Sequence, residues 1–316
     1  ARIALDKDRS FGVCYAAYLA AERTSNFEMA ERLMATIESH PEAISNESQQ
    51  KRILKLKSGV AYHLSVTKLI ESEKPRQIQS ITKRICYVLH NSLPYSSGGY
   101  STRAHGVATG LKATGYDIQC VTRPGFPSDI DEDLEANKIE LNDIIEGINY
   151  TRIIEPSRKK LRFVEYIPAA AKALQNHLIE LKPEFVIAAS NYVVALPVAI
   201  ACRRLGIPFA YEVRGFWEIT RMSRDKEYFK TPAFSVQKKL EAAVCNSANQ
   251  VFTLNNNMRD ELVKRGVNQN KIELLPNSCN TKKFIPQNRD NVLAKTLNIP
   301  KGTPVIGYIG TFVDYE

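Results

Sequence analysis

Two short segments carry residues whose type and spacing could do chemistry. The first, Arg84-Ile-Cys-Tyr-Val-Leu-His-Asn-Ser-Leu-Pro-Tyr-Ser-Ser-Gly-Gly-Tyr100, runs an apolar stretch into a glycine pair. Residues 85–89 suit a strand buried on both faces. Gly98 and Gly99 let backbone N–H groups approach an anion without side-chain obstruction, and Ser101 can N-cap a helix whose positive end faces the same spot. That chemistry is phosphate binding; a turn that only connects strand to helix has the same signature. The second segment, Arg214-Gly-Phe-Trp-Glu218, ends an apolar strand abruptly in an arginine, a glycine and the only tryptophan of the chain. A guanidinium there can clamp a phosphate or a sugar hydroxyl by paired hydrogen bonds, or form a structural ion pair with Glu218. His90, at the end of the first strand, and His105, one turn into the helix, could hydrogen-bond a substrate hydroxyl or serve as packing residues. His40, His63 and His177 read as surface positions.

The elements that must position these residues follow from periodicity. Residues 1 to about 75 show only helical spacing: Phe11, Cys14, Tyr15, Tyr18 and Leu19 form one apolar stripe and Met29, Leu33 and Ile37 another. They predict a helical hairpin, faintly similar to a tetratricopeptide unit, with a third helix over residues 47–70 closing it. Beyond Ile85, strands and helices alternate, which predicts a mostly parallel sheet covered on both faces. The helix after Ser101 carries Gly106 and Gly110, expected to lie close on the sheet, and Gly115 ends it. Helices are expected over residues 166–181, 191–205 and 292–297, and Asn255-Asn256-Asn257 can cap one carrying Met258 and Leu262. The acidic stretch 129–135 reads as a surface loop.

Composition bounds the class. The chain has 316 residues, 44% of them hydrophobic, with a mean hydropathy of -0.28, so about two domains of an ordinary globular protein are expected. Six scattered cysteines without C-x-x-C spacing read as reduced core residues of a cytosolic protein. No leader or anchor is visible, and both ends read as cuts in a longer chain. The formal net charge is +9. Its excess lies in residues 171–316, with 20 basic against 13 acidic side chains. Seven basic and three acidic residues fall within 214–239 alone. Such a field favours a phosphate-bearing substrate or an anionic membrane face. Nucleic acid is excluded as a partner because basic and aromatic residues are not interleaved on one element.

The order of several segments resembles the N-terminal half of a GT-B glycosyltransferase of the large retaining family four, over roughly residues 82–316. Gly98-Gly99 and its helix come first. Gly115-Tyr-Asp-Ile-Gln-Cys-Val-Thr122, Lys182-Pro-Glu-Phe-Val-Ile-Ala-Ala-Ser190 and Ile207-Pro-Phe-Ala-Tyr-Glu-Val-Arg-Gly-Phe-Trp-Glu218 follow. Ala248-Asn-Gln-Val-Phe-Thr-Leu254, Lys271-Ile-Glu-Leu-Leu-Pro-Asn277 and Phe284-Ile-Pro286 match the end of that half. Val305-Ile-Gly-Tyr-Ile-Gly-Thr311 looks like the first strand and turn of the next domain.

The resemblance implies an α/β fold, a Rossmann-like parallel sheet preceded by an all-helical segment. The expected division is 1–78 helical, 79–286 Rossmann-like, and 287–316 linker and first strand of a donor-binding domain. It implies retaining, metal-independent transfer of a hexose from a UDP- or GDP-linked sugar, with no cofactor. The acceptor would be a saccharide or a lipid-linked one, in surface polysaccharide or glycoconjugate synthesis. The setting would be the cytoplasm, with peripheral contact at the inner membrane face. Arg214 becomes the catalytic candidate. Gly98, Gly99, Tyr100, Asn277, Gly310 and Thr311 become donor-binding candidates, and His90, His105, Trp217 and Glu218 acceptor-binding ones.

Two departures stand out. Arg214 replaces the histidine of many members, and Pro276-Asn-Ser-Cys-Asn280 replaces the usual Pro-Asn-Gly-Val-Asp. They keep open an alternative, a non-catalytic helical and Rossmann-like interaction module. The family's nucleotide pocket and paired glutamates belong to the second domain, so this stretch alone is expected not to turn over.

Overall fold

The computed structural model describes residues 8–72, 75–131, 133–134 and 138–308. Residues 1–275 and 276–316 form two compact units.

The larger unit opens with helices α1 (Phe11–Arg23), α2 (Phe27–Glu38), α3 (Pro41–Ser45) and α4 (Glu47–Lys57), then a 3-10 helix (Val60–Ile70). Asn26 caps α2 by accepting from the Met29 N–H at 3.2 Å. The single helix expected over 47–70 is instead two pieces, broken at Ser58-Gly59, and the second piece is wound as 3-10. Its start is held from outside, because the Ala61 N–H donates to Glu22 Oε1 at 2.9 Å.

The rest alternates as the sequence predicts. β1 (Ile81–Leu89), α5 (Gly99–Ala113), β2 (Asp117–Thr122), β3 (Asn142–Ile145) and β4 (Ile148–Thr151) form the first half. α6 (Phe163–Leu181), β5 (Pro183–Ala189), α7 (Tyr192–Leu205), β6 (Phe209–Val213) and α8 (Trp217–Met222) follow. α9 (Pro232–Ser247), β7 (Gln250–Thr253), α10 (Asn256–Lys264) and β8 (Ile272–Leu274) close the unit. The sheet order is β3-β4-β2-β1-β5-β6-β7-β8. All neighbours are parallel except the β3–β4 hairpin.

β1 shows why both faces must be covered. Successive side chains of a strand point to opposite faces, and here Cys86 and Val88 enter one core cluster while Ile85, Tyr87 and Leu89 enter the other. α5 covers the second face with Ser101, Ala104 and Ala108 buried. Gly106 and Gly110 do not lie against the sheet as expected; a Cβ on either would meet nothing within 4 Å. Small size is used at the alanines, at the helical spacing that faces the sheet.

α7 is buried almost throughout, from Val193 to Leu205, because it is covered twice. The sheet lies on one side, and the N-terminal helices share its core cluster on the other. The expectation that residues 1–75 pack as a unit apart therefore gives way to one continuous core, since the hairpin cannot bury its own face and buries it here. Asn191 caps α7 by accepting from the Val193 N–H, and Gly206 ends it in the left-handed region. α6 begins at Phe163, three residues before the expected start.

All six cysteines are free; five are buried as expected and Cys279 is exposed. His63 and His177 are half-buried rather than on the surface, and burial pushes both imidazoles down. Among the described residues no helix is long and apolar enough to cross a membrane.

The second unit contains α11 (Asn291–Thr296), whose first turn is capped by Asp290 Oδ1 accepting from Val292 N and Leu293 N, both at 2.9 Å. Among the described residues no strand forms over 305–308, contrary to expectation, and the remainder of that expected strand lies outside the described residues.

One buried carboxyl gives the large unit a measurable pH response. Glu241 of α9 accepts from the Tyr211 hydroxyl at 2.6 Å. Burial pushes its carboxyl up to about 7, against the Tyr211 bond that favours the charged form. The folded state thus binds the proton more tightly than the unfolded one, so stability falls as pH rises from about 4.5 to 7 and is level beyond. The gap corresponds to on the order of 3 kcal/mol. Glu241→Gln is expected to flatten that slope and raise Tm at pH 8 while leaving it nearly unchanged at pH 4. Thermal melts of both proteins across this range check it.

Candidate functional site

In an open parallel sheet, the loops leaving the C-terminal ends of the strands converge on one edge, and ligands bind there. Here β1, β5 and β6 deliver His90, Ser190 and Arg214 to that edge. The centre of the edge is Glu212, the fourth residue of β6, whose side chain is 1% exposed. A carboxylate so placed must be paired. Arg214 Nη2 donates to its Oε2 at 2.8 Å, Arg103 Nε to its Oε1 at 2.8 Å, and the Tyr87 hydroxyl donates to Oε2. Burial pushes the Glu212 carboxyl up, but Arg214, Arg103 and Tyr87 together outweigh it and hold the group below its usual range. Burial and the adjacent Glu212 push the Tyr87 phenol well up, so it stays a donor.

The network reaches the helix start. Arg214 Nη1 donates to the Tyr100 carbonyl at 2.9 Å, and Arg103 Nη2 to the Leu275 carbonyl at 2.7 Å. The Tyr100 hydroxyl accepts from Trp217 Nε1 at 3.3 Å. Ser190 Oγ accepts from the Arg214 N–H at 2.7 Å and donates to the Glu212 carbonyl at 3.2 Å, tying β5 to β6. Trp217 in turn meets His90 edge to face, with ring centroids 5.1 Å apart. One carboxylate thus fixes the turn before α5 and the loop after β6 relative to each other.

At the start of α5, Gly98 stands at the N-cap and Gly99 opens the helix, both exposed, and no side chain caps it. Ser101 is not the cap; it lies inside the first turn and donates to Asn91 Oδ1 at 3.1 Å. A Cβ on Gly98 or Gly99 would meet no atom within 4 Å. The glycines leave an open approach to the positive end of a fifteen-residue helix, the geometry that holds anions.

The sequence-predicted residues divide clearly. Gly98, Gly99, Tyr100, Arg214, Trp217 and His90 come together on this edge. Arg214 does not point into open space, however. Its side chain is 4% exposed and turned back on Glu212, Tyr87 and the Tyr100 carbonyl, because a guanidinium at that depth is stable only beside a carboxylate. Its geometry is that of a positioning residue. Glu218 neither pairs with Arg214 nor faces open space: it is buried and pairs with Arg265 at 2.6 Å, while that guanidinium lies over the Phe216 ring at 3.9 Å. His105 has Tyr150 Oη 2.8 Å from Nδ1 and Glu146 3.1 Å from Nε2, so both ring nitrogens are engaged against the β3–β4 hairpin. Asn277 lies exposed in the second unit. Gly310 and Thr311 lie outside the described residues. Among those described, no three His, Cys, Asp or Glu side chains converge as a metal set would.

Sequence reasoning missed Glu212, Arg103 and Tyr87. Glu212 left a signal, a single charge inside the apolar run Phe209-Ala-Tyr-Glu-Val213. Arg103 left none, since one arginine on a helix is ordinary.

The family model of Glycosyltransferase Family 4 matches residues 97–283, more than half of the chain, and the chain belongs to that family. Fold and family together define a GT-B glycosyltransferase domain. No curated protein matches the chain. Among solved structures, the sucrose-phosphate synthase of Thermosynechococcus elongatus is similar over 74% of this chain and 56% of its own, at a TM-score of 0.53 and 15% identity, a likeness of fold. A glycosyltransferase of Rickettsia africae aligns over 70% of this chain and 51% of its own, at a TM-score of 0.44 and 18% identity. The chain thus spans little more than half the length of these proteins.

If Glu212 organises the edge, Glu212→Gln removes the buried carboxylate to which Arg214, Arg103 and Tyr87 donate and is expected to cost about 3–5 kcal/mol. A double-mutant cycle by chemical denaturation should show strong coupling between Arg214 and Glu212, and coupling between Arg214 and Glu218 below about 0.5 kcal/mol.

Proposed function

We propose that this chain is the acceptor-binding part of a retaining, metal-independent glycosyltransferase that uses a nucleotide sugar, UDP- or GDP-linked. The observation that carries the reading is the uncapped, glycine-opened start of α5, held against the C-terminal sheet edge by the Arg214–Tyr100 bond. Transfer requires a neutralised leaving diphosphate, a held sugar ring and an acceptor hydroxyl near the anomeric carbon. In the proposed reaction the acceptor oxygen forms its bond to the anomeric carbon on the face that the diphosphate leaves. The bond from that carbon to the phosphate oxygen breaks, and the acceptor proton passes to the departing diphosphate.

The N–H groups of Gly99 and Tyr100, with the helix dipole behind them, would take part of the diphosphate charge. Trp217, beside His90, would form a wall for a sugar ring. Arg214 holds these two elements in place and, being buried, acts through Tyr100 rather than on the substrate. The nucleotide itself would be bound by the donor domain of the intact enzyme, to which Gly310 and Thr311 are assigned, with Asn277, which precedes that domain in the chain, as a further donor-binding candidate.

The acceptor is proposed to be a saccharide or a lipid-linked saccharide of surface polysaccharide or glycoconjugate synthesis, used in the cytoplasm. A peripheral contact with an anionic membrane face is supported by the surface of α8 and the segment that follows it. There Ile219 and Phe229 are exposed beside Arg221, Arg224, Lys226 and Lys230, a mix of apolar and basic side chains suited to a headgroup layer.

Gly98→Val tests the diphosphate role. Since a Cβ at Gly98 meets no protein atom, the intact enzyme should keep its Tm within about 2–4 °C, the shift of a ΔΔG near 1 kcal/mol. Turnover should fall at least about tenfold through weakened donor binding. Unchanged turnover, or turnover lost only in step with Tm, assigns the glycines to chain connection alone.

A further inference from the structure

Between the end of β1 and Gly98, residues 90–97 form neither helix nor strand, so the place of the glycine turn depends on what holds this loop. Inside it, the Ser96 N–H donates to the Ser92 carbonyl at 3.0 Å, and Asn91 Nδ2 donates to Ser96 Oγ at 3.0 Å. Asn91 Oδ1 accepts from Ser101 in turn. These bonds make the loop one piece with the first turn of α5. The Glu212 network holds that piece from the β6 side, at Tyr100. Its other flank is held by an arginine from a different strand.

Arg152 directly follows β4, and β2 lies between β4 and β1 in the sheet. Its side chain is fully buried and reaches over to the loop after β1. Nη2 donates to the Leu93 carbonyl at 3.0 Å and Nη1 to the Glu140 carbonyl at 2.6 Å. Asp143 of β3 supplies the carboxylate that a guanidinium at this depth requires. The guanidinium carbon lies 4.6 Å from the centroid of the Tyr95 ring, within range of a cation–π contact. The Tyr95 hydroxyl accepts from the Glu140 N–H at 2.9 Å. Its ring meets Phe126, in the loop after β2, in a T-shaped contact with centroids 6.5 Å apart. Two contacts of Arg152, at Glu140 and Asp143, thus belong to the β3–β4 hairpin and the segment leading into it, and two, at Leu93 and Tyr95, belong to the loop that ends in the glycine turn. A planar fork can serve two carbonyls and a carboxylate while lying against a ring; a lysine has no such fixed geometry.

We propose that Arg152 is a positioning residue for the glycine turn, a role that rests on the reading of that turn as the diphosphate site. Being buried, it acts through Leu93 and Tyr95, which keep residues 90–97 seated so that the N–H groups of Gly99 and Tyr100 face the diphosphate. The hairpin then supports the site without touching substrate. A turn that keeps its place only about a tenth of the time binds about tenfold more weakly, because affinity scales with the competent fraction.

The test is a titration of the full chain with inorganic pyrophosphate, followed by the fluorescence of Trp217, its single tryptophan, which donates to the Tyr100 hydroxyl. Arg152→Met is expected to weaken binding at least about tenfold and to quicken amide exchange at residues 101–104. Arg152→Lys should restore part of the affinity, since an ammonium can still serve one carbonyl. Tyr95→Leu removes the ring against the guanidinium and should weaken binding at least about twofold. If Arg152→Met does not fold, Arg152→Lys and Tyr95→Leu carry the same comparison against wild type. Asp143→Asn separates position from stability. It weakens the ion pair but leaves Leu93 and Tyr95 on Arg152, so Tm should fall while pyrophosphate affinity stays within about twofold of wild type. A loss of affinity in Asp143→Asn as large as that in Arg152→Met would assign the arginine to fold stability alone and overturn the proposal. Wild-type affinity in Arg152→Met would overturn it too. Gly98→Val is the reference: if it weakens pyrophosphate binding and Arg152→Met does not, the role of Arg152 fails and the diphosphate reading stands. If neither variant weakens binding, the diphosphate reading fails and the role of Arg152 fails with it.

Discussion

The constraint on which the edge of this domain depends is a single carboxylate taken out of water. Glu212 sits inside a parallel sheet, where an unpaired charge would be prohibitively costly, and its stability there requires donors from three other places in the chain. Tyr87 comes from β1, Arg103 from α5, and Arg214 from the loop after β6. Satisfying Glu212 therefore fixes those elements against one another. The same bonds aim an arginine at the Tyr100 carbonyl, just past the glycine turn. Removing one partner of such a network costs more than forming it gains, because the remaining charges stay buried.

Glu212 points to the face that α5 covers; the other face of the sheet, to which Phe209, Tyr211 and Val213 of β6 belong, is covered from far away in sequence. α7 lies between the sheet and the N-terminal helices and is buried from Val193 to Cys202 because it shares a core cluster with both. Those helices are thus part of the domain's core. The 3-10 segment, anchored by Glu22 at Ala61, completes the layer. The functional edge stays on loops and helix starts, while the rigid part of the structure lies behind it.

How much of this was legible in the sequence depended on whether a signal was local. The run 85–89, the Asn191 and Asn255 caps and Gly206 are local features, and each placed its element. The order of short segments identified the family for the same reason. Pairings across the sheet are not local. Arg214 and Glu218 are four residues apart and look like a pair, yet Arg214 turns back on Glu212 of β6 and on Tyr87 of β1, and Glu218 pairs with Arg265 after α10. His105 looked available beside the helix start, but its nitrogens are engaged by Tyr150 and Glu146, whose hairpin no local pattern announced. Ser101 could have capped α5, but the helix begins two residues earlier, and its hydroxyl turns to Asn91. The packing of the hairpin onto α7 was hidden because an amphipathic stripe shows that a face is buried, not what buries it.

The central claim is that Glu212 holds the glycine turn and the Trp217 loop as one piece. Amide hydrogen exchange in wild type and Glu212→Gln tests it most directly, since exchange reports local opening segment by segment. In the variant, exchange is expected to quicken together at residues 100–104 and 214–220, with α1 and α2 protected as before. Unchanged protection at residues 100–104, with loosening confined to β6, would contradict it.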